Sequence, residues 1–198
     1  MTLGIQPTPD DGVRLSTRRV WDESTRPPPT EPDDREHTDN GRAVAGHLVQ
    51  VHDHLRAELA QVRSIVEQVR AGSLDLSRAR SHINEMTMRQ NAWTMGAYCA
   101  SYCRLLTQHH SLEDSGVFPH LSAADPRLEP VVDRLMEEHV VIHEVLEGLD
   151  AALVAHVAAG DDFTDLDEAL DLLTDTLLSH LSYEERVLLE PLARHGMY

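Results

Sequence analysis

From about Asn40 to Ala71, apolar residues recur three and four positions apart, at Leu48, Leu55, Leu59, Val62, Val66 and Val69, and His52 falls in the same stripe. That period belongs to one face of an α-helix, not to the alternation of a strand. Gly72 and Ser73 supply its end. A second helical stretch is predicted from about Leu76 to Ser115. Its inner face takes in Met95, Tyr98, Tyr102, Leu105, Leu106, His109 and Glu113, and Gly116 and Pro119 read as stops. A third runs from about Pro126 to Ala159, with the stripe Leu128, Val132, Leu135, His139, Ile142, His143, Leu146, Leu149 and Leu153 and with Gly160 just beyond. The fourth opens at Thr164, a residue suited to capping, and carries Leu166, Leu170, Leu173, Leu177, His180, Glu184 and Leu188 to about Arg194.

Four amphipathic helices with short joins predict an all-α, antiparallel up-down four-helix bundle over residues 40–198. Residues 1–39 hold Pro7, Pro9, Pro27, Pro28, Pro29 and Pro32 among many polar and charged positions, which predicts an extended, poorly structured N-terminal tail. Val20 and Trp21 stand out there as residues suited to docking on the bundle.

Composition narrows the function. The formal net charge is −17 with no basic patch above it, so binding to nucleic acid or to an anionic membrane surface is not expected. The sequence has no apolar run of membrane-spanning length and no leader pattern, which leaves the cytoplasm as the expected location. Cys99 and Cys103 lie four apart on one helix, a spacing that would strain a disulfide, and read as reduced.

Histidine changes the picture, with 13 in 198 residues. A single histidine in an apolar stripe is ordinarily a core residue held by one hydrogen bond. Here all four stripes contain at least one, and a core of unpaired histidines and carboxylates carries a large desolvation cost. A bound cation removes that cost by coordinating the deprotonated groups. The pairs His109 with Glu113, His139 with His143, and His180 with Glu184 are each four apart, hence on one helix face. His54 lies about 200° around the helix from His52 and faces outward. Offsets from the predicted turns put His109, His139, His143 and His180 at one height; the stretch after Leu76 holds about a dozen residues more than His52 requires. Three choices stay open: His110 with Asp114 rivals His109 with Glu113, Glu185 rivals Glu184, and His54 rivals His52.

Four segments, V-H-D-H-L-R (51–56), H-H-S-L-E-D-S-G-V-F-P (109–119), E-H-V-V-I-H (138–143) and H-L-S-Y-E-E (180–185), occur in order at bundle spacing. The set resembles the haemerythrin-like, or HHE cation-binding, family. The resemblance implies metal ligands at His52, His109, Glu113, His139, His143, His180 and Glu184. It further implies two non-haem irons bridged by the carboxylates and a solvent oxygen, with one open position for dioxygen, nitric oxide or peroxide. Imidazole and carboxylate suit iron, and such sites also accept manganese.

Tyr98 and Tyr102 share the predicted face of His109 and read as core aromatics or as redox-active or gating residues. Tyr183 reads as core or as a neighbour of the site. Trp93, Met86, Met88 and Met95 read as packing, and His37, His47, His82, His120, His156 and His195 as rim or solvated histidines. Three functions are compatible: reversible binding or sensing of a small diatomic ligand; diiron redox enzymology such as peroxide breakdown or oxygen activation; and iron storage or handling. No nicotinamide or flavin motif is visible, so a redox enzyme would draw on an external electron donor.

Overall fold

The computed structural model describes residues 3–31, 35–71, 81–159 and 163–197, with the side chains of 81–94 and 159 left aside. The long helices are α1 (Asp39–Arg70), α2 (Ser81–Leu112), α4 (Glu129–Ala159) and α5 (Thr164–His195), with a short α3 (Phe118–Ala124) between α2 and α4. α1 packs on α2 and α5, and α4 packs on α2 and α5, so the four long helices close a ring. There is no strand among the described residues, and no helix among them is long and apolar enough to cross a membrane. The expectations for Trp93, Met86, Met88, His82 and the loop after Gly72 lie outside what is described.

Two expected helix ends are corrected. Gly116 and Pro119 do not stop α2. The backbone widens into a π-helical turn at Glu113–Val117 and continues helically into α3. Pro119 sits in the first turn of α3, where its missing N–H costs little. Thr164 is the first residue of α5 rather than its cap; Phe163 precedes it and makes no side-chain capping bond. α1, by contrast, is capped by Thr38, whose hydroxyl accepts from the Gly41 N–H.

The core falls into two apolar blocks. One gathers Leu55, Leu59, Tyr102, Leu106, Ile142, Leu146, Leu173 and Leu177. The other gathers Phe118, Leu121, Leu128, Val132, Leu135, Tyr183, Val187 and Leu188. α1, α4 and α5 each pass from one block to the other, and α2 does so through the π-helical turn into α3; the residues at the crossing are His52 on α1, His109 and His110 on α2, His139 on α4 and His180 on α5. A polar layer is thus sealed above and below by hydrophobic packing.

The described residues of 3–38 carry no regular structure beyond one 3₁₀ turn at Glu23–Thr25, yet they are tied along α5. The Thr8 carbonyl accepts from the Ser182 hydroxyl, and the Leu15 and Ser16 N–H groups donate to Asp175. The chain then turns back, and the Pro27 carbonyl accepts from the Tyr183 hydroxyl at 3.0 Å. The Thr38 N–H donates to the Ala193 carbonyl. Val20 and Trp21 pack against the core. This strap explains why α5 has buried residues on every side, including polar Thr174, Asp175 and Ser179.

Candidate metal centre

Two groups of convergent side chains lie in the polar layer. His110, His139 and His180 form one; His52, His109, Glu113 and Glu184 form the other. Within each, one ligand-type atom per residue lies within 4.8 Å of all the rest. The two carboxylates tie the groups together. Glu113 faces His109 Nε2 at 3.3 Å with one oxygen and His139 Nε2 at 3.8 Å with the other. Glu184 Oε2 lies 3.5 Å from His52 Nε2 and 3.4 Å from His180 Nε2. The Nε2 atoms of His139 and His180 face each other at 3.2 Å.

Six of the seven residues expected as ligands lie in the two convergent groups, and His143 is the exception. His143 is corrected: its side chain is 57% exposed and pairs with Glu147 on the outer face of α4. His110 takes the fifth place, its ring stacked on His139 with centroids 3.9 Å apart. The buried stripe of α4 steps through Leu135, His139, Ile142, Leu146 and Leu149, alternating four and three. After His139 that seam advances by three, and residue 143 is carried about 100° past Ile142. On α2 the seam runs through Met95, Cys99, Tyr102, Leu106, His110 and Glu113, with His109 at its margin. Both neighbouring histidines therefore reach the centre. Tyr98, expected inside, is 43% exposed, whereas Tyr102 is buried with its hydroxyl directed at the Leu55 carbonyl. His52 points inward and His54 outward.

Polar residues next to the inner groups in sequence support the histidine of the following helix. Asp114 accepts from His139 Nδ1 at 2.8 Å. Glu138 accepts from His180 Nδ1 at 3.1 Å, and Glu185 accepts from His52 Nδ1 at 2.9 Å. This outward carboxylate fixes the tautomer and frees Nε2 toward the centre. It also separates the roles of Glu184 and Glu185, since Glu185 lies behind His52. Glu113–Asp114, Glu138–His139 and Glu184–Glu185 are adjacent in sequence, a pattern that could have been read there and was missed. The relay ends at α1, where Asp53 beside His52 pairs with Arg56 at the surface.

The centre is built to coordinate a cation. Without one, buried polar atoms go unpaired at His52 Nε2, His109 Nε2, His110 Nε2, Glu113 Oε2 and both oxygens of Glu184. Orphans of this kind are rare in a native core, and here they converge on one space. Burial holds His109 down to about 4 and His139 down to about 3, and pushes His110 well below its ordinary value, so these rings are neutral and ready to ligate. Burial beside Glu184 drives Glu113 well up. Glu184 itself is held low despite burial, by the histidines around it. A divalent cation would replace the proton on Glu113 and satisfy both carboxylates.

No curated protein and no solved structure gives a significant match to this sequence. The Hemerythrin HHE cation binding domain family matches residues 43–192, which take in every residue of the two convergent groups. Over three-quarters of its length and throughout its polar layer, the chain belongs to the haemerythrin HHE cation-binding family.

Proposed function

We propose that the polar layer holds two iron ions and that the protein binds a small ligand there: dioxygen, nitric oxide or peroxide. His110, His139 and His180 would serve one iron, His52 and His109 the other, with Glu113 and Glu184 shared between them. The observation that carries this reading is the convergence of imidazole and carboxylate atoms from all four long helices, six of those atoms being unpaired. The donors are nitrogen and oxygen with no thiolate, a set suited to iron in place of a structural zinc. The imidazoles are divided three and two, so the His52–His109 side has fewer protein donors and is where an added ligand finds room. An iron pair of this kind supplies a redox-active Lewis acid. The chain's own part is to keep the imidazoles neutral, aim them through outward carboxylates, and exclude water with the two apolar blocks.

Reversible binding is favoured over turnover, because the histidines and acids of the layer are all used in coordination or in supporting it. Metal analysis and the absorption spectrum of iron-loaded protein test this. Two irons per chain with an oxo-bridge charge-transfer band are expected. His110→Ala should lose iron while His143→Ala keeps it; equal retention in both would refute the ligand set. Oxygen evolution on adding peroxide would favour the enzyme reading, and a stable reversible adduct the binder.

A further inference from the structure

The N-terminal strap reaches the polar layer twice. Arg26 extends from it with a side chain only 5% exposed and meets Glu138, itself 1% exposed, through both arms of its guanidinium. Arg26 Nε donates to Glu138 Oε1 at 2.7 Å and Nη2 donates to Oε2 at 2.9 Å. A third donor, Nη1, reaches the Ser179 hydroxyl at 2.9 Å. The guanidinium carbon lies over the Tyr183 ring, 4.7 Å from its centroid. Glu138 Oε2 is the atom that accepts from His180 Nδ1. A two-pronged bond fixes the plane of a carboxylate as well as its position, which a point charge does not. The plane of Glu138 sets where its lone pair meets the His180 ring, and thereby where His180 Nε2 points. At the second place, the Thr8 N–H donates to Glu185 Oε2 at 2.6 Å, behind His52. The strap therefore backs one histidine from each convergent group.

A buried arginine–carboxylate pair costs desolvation that a surface pair would avoid, so it is a poor device for merely tethering a loop. Half-buried neutral contacts such as Ser182 with Thr8 already tether it. We propose that the strap is part of the metal centre, with Arg26 a positioning residue that fixes His180 through Glu138; this rests on the two-iron reading above.

The test uses the full chain loaded anaerobically with iron(II), counting bound iron and then following its release to an excess of chelator. Arg63→Ala is the structural control: Arg63 joins Asp171 and Thr174 across α1 and α5, and none of the three belongs to the convergent groups or their outward carboxylates. The unchanged chain should hold two irons. Arg26→Ala should release one of them about 10–100-fold faster and leave the other near its original rate. Arg26→Lys, which keeps the charge and loses the fork, should fall between. Arg63→Ala should lower Tm while leaving both release phases in place. If Arg26→Ala does not fold, Arg26→Lys carries the test, and release of one iron faster than from the unchanged chain is the supporting result. Release from the Arg26 variants that matches the unchanged chain or Arg63→Ala overturns the positioning role and leaves the two-iron reading standing. An unchanged chain that takes up no iron overturns that reading and the proposal with it.

Discussion

At His52, His139 and His180 both ring nitrogens are committed, Nε2 toward the shared space and Nδ1 to a carboxylate behind. Asp114 is the most exposed of those carboxylates, at 36%, so changing it disturbs the fold least. Asp114→Ala should weaken metal binding about 10–100-fold in a chelator competition, with a smaller loss for Asp114→Asn, which still offers an accepting oxygen. Equal affinities in the two variants would show that Asp114 does not orient His139. Residue-level legibility was good where a helix has one polar position on its seam and poor where two compete. His52 over His54 followed from a 200° separation. His143 misled because four residues is nearly, but not quite, one turn, and the seam of α4 steps back to Ile142. His109 and His110 were set as rivals, whereas the margin and the centre of one seam both face the cavity.

Among the elements, α1 comes close to the end of α5 at Gly41. A Cβ added to Gly41 would overlap the carbonyl of Ala193, with that of Leu192 also close, and both obstacles are backbone. Gly41→Ala should therefore push the start of α1 off the end of α5 and cost about 1–3 kcal/mol, seen as a lowered Tm. Gly46 is the internal comparison. Its nearest obstacle is the Ile5 side chain at 3.6 Å, an ordinary contact. Gly46→Ala should be neutral or stabilise by up to about 1 kcal/mol through helix propensity. The long helices were legible from apolar period alone. The π-helical turn was not, because Gly116 and Pro119 carry the signals of a helix end. Tertiary packing of Phe118 and Leu121 into the second apolar block keeps the chain helical through them. The path of the strap was equally hidden: proline and charge predict extension, but its anchors are hydrogen bonds and one buried ion pair to residues far away in sequence.

For the whole molecule, the polar layer makes metal-free stability depend on pH. His109, His110 and His139 have folded values below that of a free histidine, since burial opposes their charge. Between about 6.5 and 4.5 the unfolded chain binds protons at these positions that the folded chain refuses. Glu113 acts in the opposite sense, because burial raises it and the folded state keeps its proton in this window. His180 and Asp114 act with Glu113: burial opposes the charge of His180, but Glu138 and Glu184 beside it raise it overall, and burial raises Asp114. The three lowered histidines oppose these, and Glu138, Glu184 and Glu185, held low by their histidine and arginine partners against burial, add to the histidines near the acid end, so the metal-free protein should lose stability as pH falls from 6.5 to 4.5. Denaturant midpoints across that range measure it, and a flat profile would contradict the neutral-histidine centre. Metal loading should raise Tm at neutral pH, since only the folded state assembles the ligands.

The strap joins positions 177 residues apart where Thr8 meets Glu185. During synthesis the strap emerges well before its seat on α5. Contacts of such long range form late in folding, after the loop between them has closed. The outward partner of His52 lies on α5, and one of the two arginines that brace Glu138 comes from the strap docked there, the other being Arg134 of α4. Capture of metal thus belongs to the finished molecule, and topology itself sets the timing.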